Sequence, residues 1–409
     1  MNHFKKQQIQ NIADFNPREQ LAKGALAKSV PMAMLKEFQR QITGYEIKAF
    51  NGGAKFRNGD TLLAKITPCL ENGKTAFVDI LDDGEVAFGS TEFIVLRAKN
   101  ETNPEFLYYF AISPDFRKRA IECMEGTSGR QRVNENALKT LELPIPEPQT
   151  QQSIAAVLFA LDKKIALNKQ INARLEQMAK TLYDYWFVQF DFPDANGKSY
   201  KSSGGDMVFD ETLKREIPKG WEVKSLWKVA KYFNGLALQK YRPENEFDDF
   251  LPVIKIREMN EGVSLNTERA KTNIPKEAII DDGDILFSWS ATLEIKIWSQ
   301  GKGALNQHIF KVTSSEYPKY FFYFELLNYL KHFKMIADLR KTTMGHITQD
   351  HLKQAYICIP SQLLLEKMER IVTPIFQKML ITQKQNHQLT QLRDFLLPML
   401  MNGQVSVAE

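Results

Sequence analysis

Three residues in the C-terminal half have the types and order used by metal-dependent nucleases. Asp284 is followed by Glu294 and Lys296, an Asp and then Glu-x-Lys arrangement that can hold magnesium and activate water. The N-terminal half keeps Asp60 after a matching glycine but has no Glu-x-Lys at the matching distance. Because a turn leading into a strand explains the Gly-Asp pair in both halves, a metal-dependent nuclease remains only an alternative interpretation.

Other catalytic signatures are missing from the sequence. It contains no Asn-Pro-Pro-Tyr or Asp-Pro-Pro-Tyr tetrapeptide, no glycine-rich cofactor loop, no G-x-x-x-x-G-K-[ST] and no H-E-x-x-H. Cys69, Cys123 and Cys358 include no C-x-x-C pair, which fits neither a zinc site nor a disulfide framework and is typical of a reducing cytoplasm. We therefore expect no catalytic residue, no metal and no cofactor bound by this chain itself.

If the chain binds nucleic acid, polar side chains in its glycine-bearing loops are the candidates for contact with DNA. Arg and Lys pair with guanine, Asn and Gln pair with adenine, and other polar groups hold phosphates. The candidate contact residues are Lys65, Thr67, Lys74, Ser90, Thr91, Thr127, Ser128, Arg130, Arg132, Lys240, Arg242, Trp289, Ser290, Asn306, Gln307, His308, Thr343 and His346. Capping turns, strand-initiating turns and solvated strand faces are the plainer explanations of the same residues.

The candidates lie in two copies of one sequence unit. Residues 104–110 (PEFLYYF) match 318–324 (PKYFFYF), and residues 133–146 (VNENALKTLELPIP) match 347–360 (ITQDHLKQAYICIP), in both cases 214 positions further along. Turn-bounded runs at 75–80, 93–97, 251–257 and 285–288 predict strands, and helical stretches lie near Phe106 and Phe321. The expected fold class is therefore mixed α/β, with two globular domains related by an internal repeat.

A long helical pattern follows each copy. Its apolar and polar seam positions are separated by steps of three and four, which is a heptad pattern and predicts a coiled coil. The seam of the first helix is Ile154, Leu158, Leu161, Ile165, Asn168, Asn172, Leu175, Ala179, Leu182 and Trp186, and that of the second is Met368, Val372, Ile375, Met379, Thr382, Asn386, Leu389, Arg393, Leu396 and Leu400. Pro374 and Pro398 are expected to kink or stop the second helix.

An antiparallel pair is the economical arrangement of the two helices, because the chain must return after the second globule. That arrangement sets Asn168 opposite Asn386 and Asn172 opposite Thr382. Polar side chains in a seam cost stability but fix the register, since a slip leaves them unpaired among apolar neighbours. We expect these four residues to fix the helix register.

Composition limits the class of protein. The 409 residues carry 54 Lys and Arg against 49 Asp and Glu, a net charge of +5, with ordinary hydrophobic content. Two to four domains are expected from the length. The N-terminal stretch lacks a signal-peptide core and the most apolar run, 317–330, contains charged residues, so we expect a cytoplasmic protein with no membrane span. If the chain binds nucleic acid, a local patch or partner subunits must supply the positive potential.

The repeat and its joints resemble the DNA-specificity (S) subunit of type I restriction-modification systems. The resemblance is carried by residues 143–187 (LPIPEPQTQQSIAAVLFALDKKIALNKQINARLEQMAKTLYDYWF), by 205–230 (GDMVFDETLKREIPKGWEVKSLWKVA) and by the second joint from residue 357 onward. It implies a first target-recognition domain at 1–149, a spacer helix at 150–190, a linker at 191–217, a second target-recognition domain at 218–360, a second spacer helix at 361–402 and a tail at 403–409.

The resemblance also implies partners and chemistry. The chain would read a bipartite, asymmetric site in double-stranded DNA and dock two methyltransferase subunits, with restriction subunits joining through them. It would itself catalyse nothing, and S-adenosylmethionine, ATP and magnesium would belong to the partners. A non-catalytic scaffold that only holds two partners apart is the other alternative, but it would not need polar, glycine-bearing loops on both globules.

Overall fold

The computed structural model describes residues 4–99, 101–127, 129–245, 247–264, 266–339 and 346–407. The chain forms two compact units. Unit 1 consists of Met1–Ala166 and Gln388–Glu409, and unit 2 consists of Leu167–His387. The long helices α5 (Pro148–Tyr183) and α10 (Gln362–Met401) each contribute residues to both units.

Unit 1 is built from twelve named strands and short helices. Its strands are β1 (Lys5–Gln8), β2 (Ala13–Phe15), β3 (Leu26–Val30), β4 (Glu46–Ala49), β5 (Ala54–Phe56), β6 (Thr61–Ala64), β7 (Thr75–Phe77), β8 (Ala87–Gly89), β9 (Phe93–Ala98), β10 (Met124–Glu125), β11 (Arg132–Val133) and β12 (Glu142–Ile145). Its short helices are α1 (Ile9–Ile12), α2 (Pro104–Ile112), α3 (Pro114–Glu122) and α4 (Glu135–Thr140), with a 3₁₀ turn at Met32–Met34.

Two four-stranded sheets form the body of unit 1. One is antiparallel in the order β2-β9-β6-β7, and the other has the order β4-β3-β8-β5 with a parallel β3-β8 pair. Both faces of β6 are buried, each in a different hydrophobic cluster. Leu63 packs with the aromatic side chains of α2, and Leu62 belongs to a second cluster that includes Phe56. Two-stranded pairings of β1 with β12 and of β10 with β11 complete the unit.

Unit 2 contains a second series of elements. Its strands are β13 (Met207–Asp210), β14 (Arg215–Pro218), β15 (Glu222–Ser225), β16 (Lys231–Asn234), β17 (Phe250–Ile254), β18 (Arg269–Lys271), β19 (Ile279–Ile280), β20 (Ile285–Ser288), β21 (Glu294–Ile297), β22 (Gly303–Leu305), β23 (Ile309–Thr313) and β24 (Tyr356–Ile359). Its helices are α6 (Leu226–Val229), α7 (Ile256–Glu261), α8 (Lys319–Leu339) and α9 (Gln349–Gln354), with 3₁₀ turns at Leu238–Tyr241 and Lys276–Ala278.

The sheets of unit 2 repeat those of unit 1. The order β16-β23-β20-β21 corresponds to β2-β9-β6-β7, and β18-β17-β22-β19 corresponds to β4-β3-β8-β5, including one parallel pair, β17-β22, in the same place. The pairing of β15 with β24 corresponds to that of β1 with β12. The expected mixed α/β fold with an internal repeat is therefore confirmed.

The two copies differ where a proline interrupts a helix. In unit 1 the Ser113 hydroxyl accepts from the Phe116 backbone N–H at 3.4 Å, and Pro114 stands at the start of α3, so α2 and α3 are separate helices. Position 328, which corresponds to Pro114, is Asn, and α8 continues without a break over 21 residues. Proline lacks the N–H that would continue the preceding helix, which explains the difference.

The strand predicted at 251–257 is wrong in its second half. Strand β17 ends at Ile254 and helix α7 begins at Ile256. The buried Glu258 carboxylate accepts from the Lys255 backbone N–H at 3.2 Å, which satisfies a donor at the helix start. The alternation of Ile254, Lys255, Ile256 and Arg257 imitated a strand because periodicity over four residues cannot separate a strand end from a helix start.

The two long helices pack through the expected seam within each unit. In unit 1 the seam residues Ile154, Leu158 and Leu400 share a buried cluster, and in unit 2 the seam residues Ala179, Met368 and Val372 share another. The order of these contacts is antiparallel. The sequence predicts that Pro374 and Pro398 kink or stop α10, and a stop is wrong, because the helix runs from Gln362 to Met401 and the packed seam outweighs the lost backbone hydrogen bonds.

Helix α5 has a short irregular end. After Tyr183 the chain makes one π-helical turn, Asp184–Val188, that buries Trp186 and Phe187. No helix among the described residues is both long enough and apolar enough to cross a membrane.

Candidate DNA interface

Three chain segments of unit 1 meet at the end of strand β6. The Lys65 backbone N–H donates to the Glu92 carbonyl at 2.9 Å, and the Val133 N–H donates to the Lys65 carbonyl at 2.9 Å. Ile66 forms a bridge with Arg132. We call this meeting point of residues 65–67, 90–92 and 130–134 junction 1. It gathers the candidates Lys65, Thr67, Ser90, Thr91, Arg130 and Arg132.

Charged side chains cover junction 1. The Arg132 guanidinium donates through Nε to Glu92 Oε2 at 2.9 Å and through Nη2 to Glu92 Oε1 at 2.8 Å. This contact lowers the pKa of the Glu92 carboxyl below its ordinary value. Lys65 Nζ lies 3.4 Å from Glu135 Oε1, and Glu135 Oε2 accepts from the Asn16 side chain at 2.8 Å. The charges are paired, and the Arg132 side chain remains half exposed.

The same backbone junction recurs in unit 2. The Trp289 N–H donates to the His308 carbonyl at 3.3 Å, the Ile347 N–H donates to the Trp289 carbonyl at 2.9 Å, and Ser290 forms a bridge with His346. These three interactions correspond one by one to those at Lys65, Glu92, Val133, Ile66 and Arg132. We call this meeting point of residues 289–290, 306–308 and 346–347 junction 2.

Aromatic rather than charged side chains cover junction 2. The Trp289 ring lies 5.8 Å from the His308 ring and 6.1 Å from the His346 ring, measured between centroids. Trp289 Nε1 donates to the Asn234 side-chain oxygen at 2.9 Å, which fixes the indole. Trp289 is therefore neither a fully buried core residue nor a free surface residue. The Gln307 amide nitrogen and His308 Nε2 are 3.4 Å apart.

The remaining candidates in and around the junctions have different environments. Asn306 is buried and its side-chain oxygen accepts from the His308 N–H at 3.3 Å, so it supports the turn before β23. Thr127 is exposed and its carbonyl accepts from the Arg130 N–H, which closes the tip of the 126–132 loop. Ser128 and Thr343 lie outside the described residues.

Three basic candidates lie outside both junctions. Lys74 is half-buried, and its carbonyl accepts from the N–H of Ala64, the last residue of β6, on the side of β6 that pairs with β7. Lys240 and Arg242 are exposed at the end of the 3₁₀ turn Leu238–Tyr241. Their charges suit phosphate contacts.

A groove lies beside junction 1. It has a volume of about 770 Å³ and is lined by Lys65 and Thr91 on one side and by residues 16–20 and 53–55 on the other. Gly53 approaches the backbone of Gly89 so closely that an added Cβ would stand 2.1 Å from the Gly89 carbonyl oxygen, so only glycine fits. The groove is open, and its lining includes the charged side chains of Arg18, Glu19, Lys55 and Lys65.

The proposed nuclease residues have structural roles. Asp284 accepts from the Asp281 backbone N–H at 2.8 Å and forms an ion pair with Lys311 at 2.9 Å. Asp60 accepts from the Arg57 N–H at 2.9 Å and pairs with Arg97 at 2.7 Å in the same way. Glu294 pairs with Lys296 on β21. Among the described residues no group of three or more His, Cys, Asp or Glu side chains is arranged to hold a metal ion.

The polar seam residues of the long helices make partly different contacts from those expected. Asn168 Nδ2 donates to the Asn386 side-chain oxygen at 2.9 Å. Asn172 does not pair with Thr382, because its Nδ2 donates to the Met379 carbonyl at 3.2 Å while the Thr382 hydroxyl donates to the Lys378 carbonyl within α10. A threonine hydroxyl within a helix can donate to a backbone carbonyl of the preceding turn. The Thr382 hydroxyl does so, and the Asn172 amide donates to a backbone carbonyl of α10 instead.

Comparison with known proteins identifies the family. The model of the type I restriction modification DNA specificity domain matches residues 8–177 and 218–391. The chain belongs to this family. It is 28% identical over 420 residues to the specificity subunit of the type I restriction enzyme HindI of Haemophilus influenzae, covering 88% of this chain and 90% of that protein. It is 29% identical over 317 residues to the MjaIX specificity subunit of Methanocaldococcus jannaschii, covering 75% and 70%.

A solved structure supports the fold of this specificity-domain protein. The crystal structure of the S subunit of a type I restriction-modification system from M. genitalium covers 98% of this chain and 96% of that one, with a TM-score of 0.52 and 16% identity. Specificity subunits recognise DNA and are non-catalytic, so this chain is a DNA-recognition subunit and not an enzyme. Family membership also implies assembly with other restriction-modification subunits.

Several residues in or beside the junctions were not among the sequence candidates. Glu92, Glu135, Asn16 and Asn234 hold the exposed side chains in place and have no distinctive sequence motif. Only Glu92 carried a signal, since it ends a polar triplet directly before an apolar strand, at the position that His308 occupies in the second copy.

Proposed function

We propose that this specificity subunit reads a bipartite, asymmetric site in double-stranded DNA through two target-recognition domains, residues 1–149 and 218–360. One observation carries the proposal: junctions 1 and 2 share the same backbone hydrogen bonds but present different side chains. Two domains that recognise different half-sites need the same backbone arrangement with different side chains. The reason is that base edges are distinguished by the chemistry of the side chains that reach them.

On this proposal the junction residues contact bases, and basic residues outside the junctions contact the DNA backbone. Junction 1 offers Lys65, Arg130 and Arg132, whereas junction 2 offers Trp289, Gln307 and His308. The basic residues outside the junctions, Lys74, Lys240 and Arg242, would hold phosphates, which positions a protein on DNA without reading sequence.

The two long helices would set the distance between half-sites. On this proposal residues 150–190 and 361–402 are the spacer, and Asn168, Asn172 and Asn386 hold its register. The Asn168–Asn386 hydrogen bond supports this role, since a slip along the seam would leave both amides among apolar neighbours.

The partners follow from the same proposal. Two methyltransferase subunits would dock on this chain, and restriction subunits would join through them. S-adenosylmethionine, ATP and magnesium would be bound by those partners. The complex would act on cellular DNA in the cytoplasm.

An exchange of domains tests the proposal. Residues 1–145 are replaced by the corresponding residues of another family member, and modified bases are sequenced in a host that also carries the methyltransferase gene. We expect one half of the methylated motif to change while the other half and the spacing stay the same. A change in both halves, or in neither, would contradict the assignment of one half-site to each domain.

A further inference from the structure

We propose that Arg132 reads a guanine in the half-site bound by the first target-recognition domain, and that Glu92 positions the guanidinium for that contact. This inference rests on the proposed function and names the base that one residue recognises. It is carried by the geometry of the Arg132–Glu92 pair at junction 1.

The pair leaves the correct edge of the guanidinium available. Glu92 takes the Nε–H and one Nη2–H, at 2.9 and 2.8 Å. Arginine has five N–H donors, so the contacts with Glu92 leave both hydrogens of Nη1 and one of Nη2. These donors form the end of the planar fork, and a side-by-side pair of donors matches the O6 and N7 acceptors of guanine in the major groove.

The Glu92 side chain is more buried than the Arg132 side chain, as expected if Glu92 holds an arginine that contacts a base. The Glu92 side chain is 24% exposed and lies at the start of β9, whereas the Arg132 side chain is 50% exposed. A flexible arginine loses side-chain freedom when it binds a base, and a guanidinium already held by a carboxylate loses less. The backbone of Arg132 is itself fixed, since β11 pairs with β10 and Ile66 bridges to Arg132.

The other arginine–carboxylate pairs in the described part of the chain lack this combination. Arg97 donates to Asp60 through the same Nε and Nη2 edge, but its side chain is only 16% exposed and holds the Asp60 turn. Arg257 uses a single oxygen of its chain neighbour Glu258. Arg119 pairs with Glu122 through Nη1 on the exposed face of α3, and that pair provides a matched control.

The second domain cannot make the same contact at the equivalent place. His346 stands where Arg132 stands, and His308 stands where Glu92 stands. The first and second half-sites should therefore differ in the base read by the junction. Between the two junctions, the positions that hold Arg132 and Glu92 in the first domain hold His346 and His308 in the second, and this difference gives the recognised motif its asymmetry.

The experiment uses the complex of the full chain with its methyltransferase. The methylated motif is first mapped for the wild type, and duplexes are then made in which single guanines are replaced by 7-deazaguanine, which lacks the N7 acceptor. We expect the wild-type complex to bind roughly tenfold more weakly at one guanine of the first half-site. The Arg132→Gln complex should be insensitive to that replacement and should lose roughly 5- to 100-fold of its discrimination for that base. Arg119→Gln should behave as the wild type does.

The outcomes separate the inference from the function on which it rests. A wild-type complex without a bipartite motif contradicts the proposed function. A bipartite motif in which no guanine of the first half-site responds to 7-deazaguanine overturns the role of Arg132 and leaves the function intact. Equal weakening on all sequences in Arg132→Gln, with discrimination kept in Arg132→Lys, would show a phosphate contact instead and also overturns the inference.

Glu92→Gln tests the positioning role separately. The amide keeps the shape of the side chain but removes the charge that holds Arg132, so we expect the preference for guanine to weaken while binding to DNA without the site is unchanged or stronger. A Glu92→Gln complex with full guanine preference would contradict the positioning role. Because the wild-type probe experiment needs no substitution, a variant that fails to fold leaves the main test intact.

Discussion

Arg393 is the one charged member of the seam of α10, and its replacement gives a stability change that can be worked out from the structure. Its Nη1 donates to Asp162 Oδ1 at 2.9 Å, and both side chains are only 9% exposed. The other oxygen of Asp162 accepts from the Tyr109 hydroxyl at 2.8 Å. Burial lowers the pKa of Arg393, but Asp162 and Asp394 outweigh it, so the pKa is raised and the guanidinium stays charged.

The expected cost follows from the group left behind. Arg393→Leu leaves Asp162 charged and buried without its cation, which costs about 3–5 kcal/mol of the free energy of unfolding. Removing both charges in Asp162→Leu with Arg393→Leu should cost only about 1–3 kcal/mol, because the remaining loss is the unsatisfied Tyr109 hydroxyl. Adding Tyr109→Phe removes that hydroxyl and should bring unit 1 near wild-type stability.

Urea unfolding of the wild type, the single, the double and the triple variant measures this series. Among the variants, the free energy of unfolding should be lowest for the single variant, intermediate for the double variant and highest for the triple variant. Both the urea midpoint and the dependence of the unfolding free energy on urea concentration are compared between variants. A change in that dependence would indicate a changed unfolded state. A loss below about 1 kcal/mol in Arg393→Leu, or a double variant as unstable as the single one, would refute the argument that an unpaired buried charge dominates.

Three further predictions concern unit 2 and the helix seam. Burial raises the pKa of the Glu325 carboxyl to about 7 from an ordinary value of 4.5, so the stability that this carboxyl contributes is present below about pH 4.5 and is lost as the pH rises through 7. The free energy of unfolding of Glu325→Gln should exceed that of the wild type by about 3 kcal/mol at pH 8. The same dependence of stability on pH in both proteins would contradict this. Asn172→Leu removes a buried amide whose oxygen has no partner, so we expect an unchanged or higher Tm together with altered half-site spacing, and normal spacing would count against the register argument. Gly235→Ala places a Cβ 2.3 Å from the Asn306 carbonyl oxygen beside junction 2, so thermal unfolding should show a loss of about 1–3 kcal/mol, and a wild-type Tm would show that the loop yields freely.

Much of the fold could be predicted because the repeat constrains it. The match of residues 133–146 to 347–360 predicts equivalent elements, and α4 with β12 does correspond to α9 with β24 at the same offset. The heptad pattern likewise identifies seam residues, none of which is exposed in the structure. Long periodic patterns are reliable since many residues carry the same signal.

Short-range choices could not be predicted in the same way. The end of β17 at Ile254 depends on the buried Glu258 carboxylate, and the partner of Asn172 depends on Thr382 bonding its own helix. The junctions were harder still. Glu92 and Arg132 are 40 residues apart in sequence, and their pairing follows from the meeting of three segments that no local pattern describes.

On the proposed function, this chain alone decides which DNA sequence its complex modifies. Modified bases should be sequenced in a host that carries this gene and the methyltransferase gene, and in the same host lacking only this gene. We expect a split, two-part methylated motif that is present only with the gene and whose halves differ. Identical methylation in the two hosts would contradict the account.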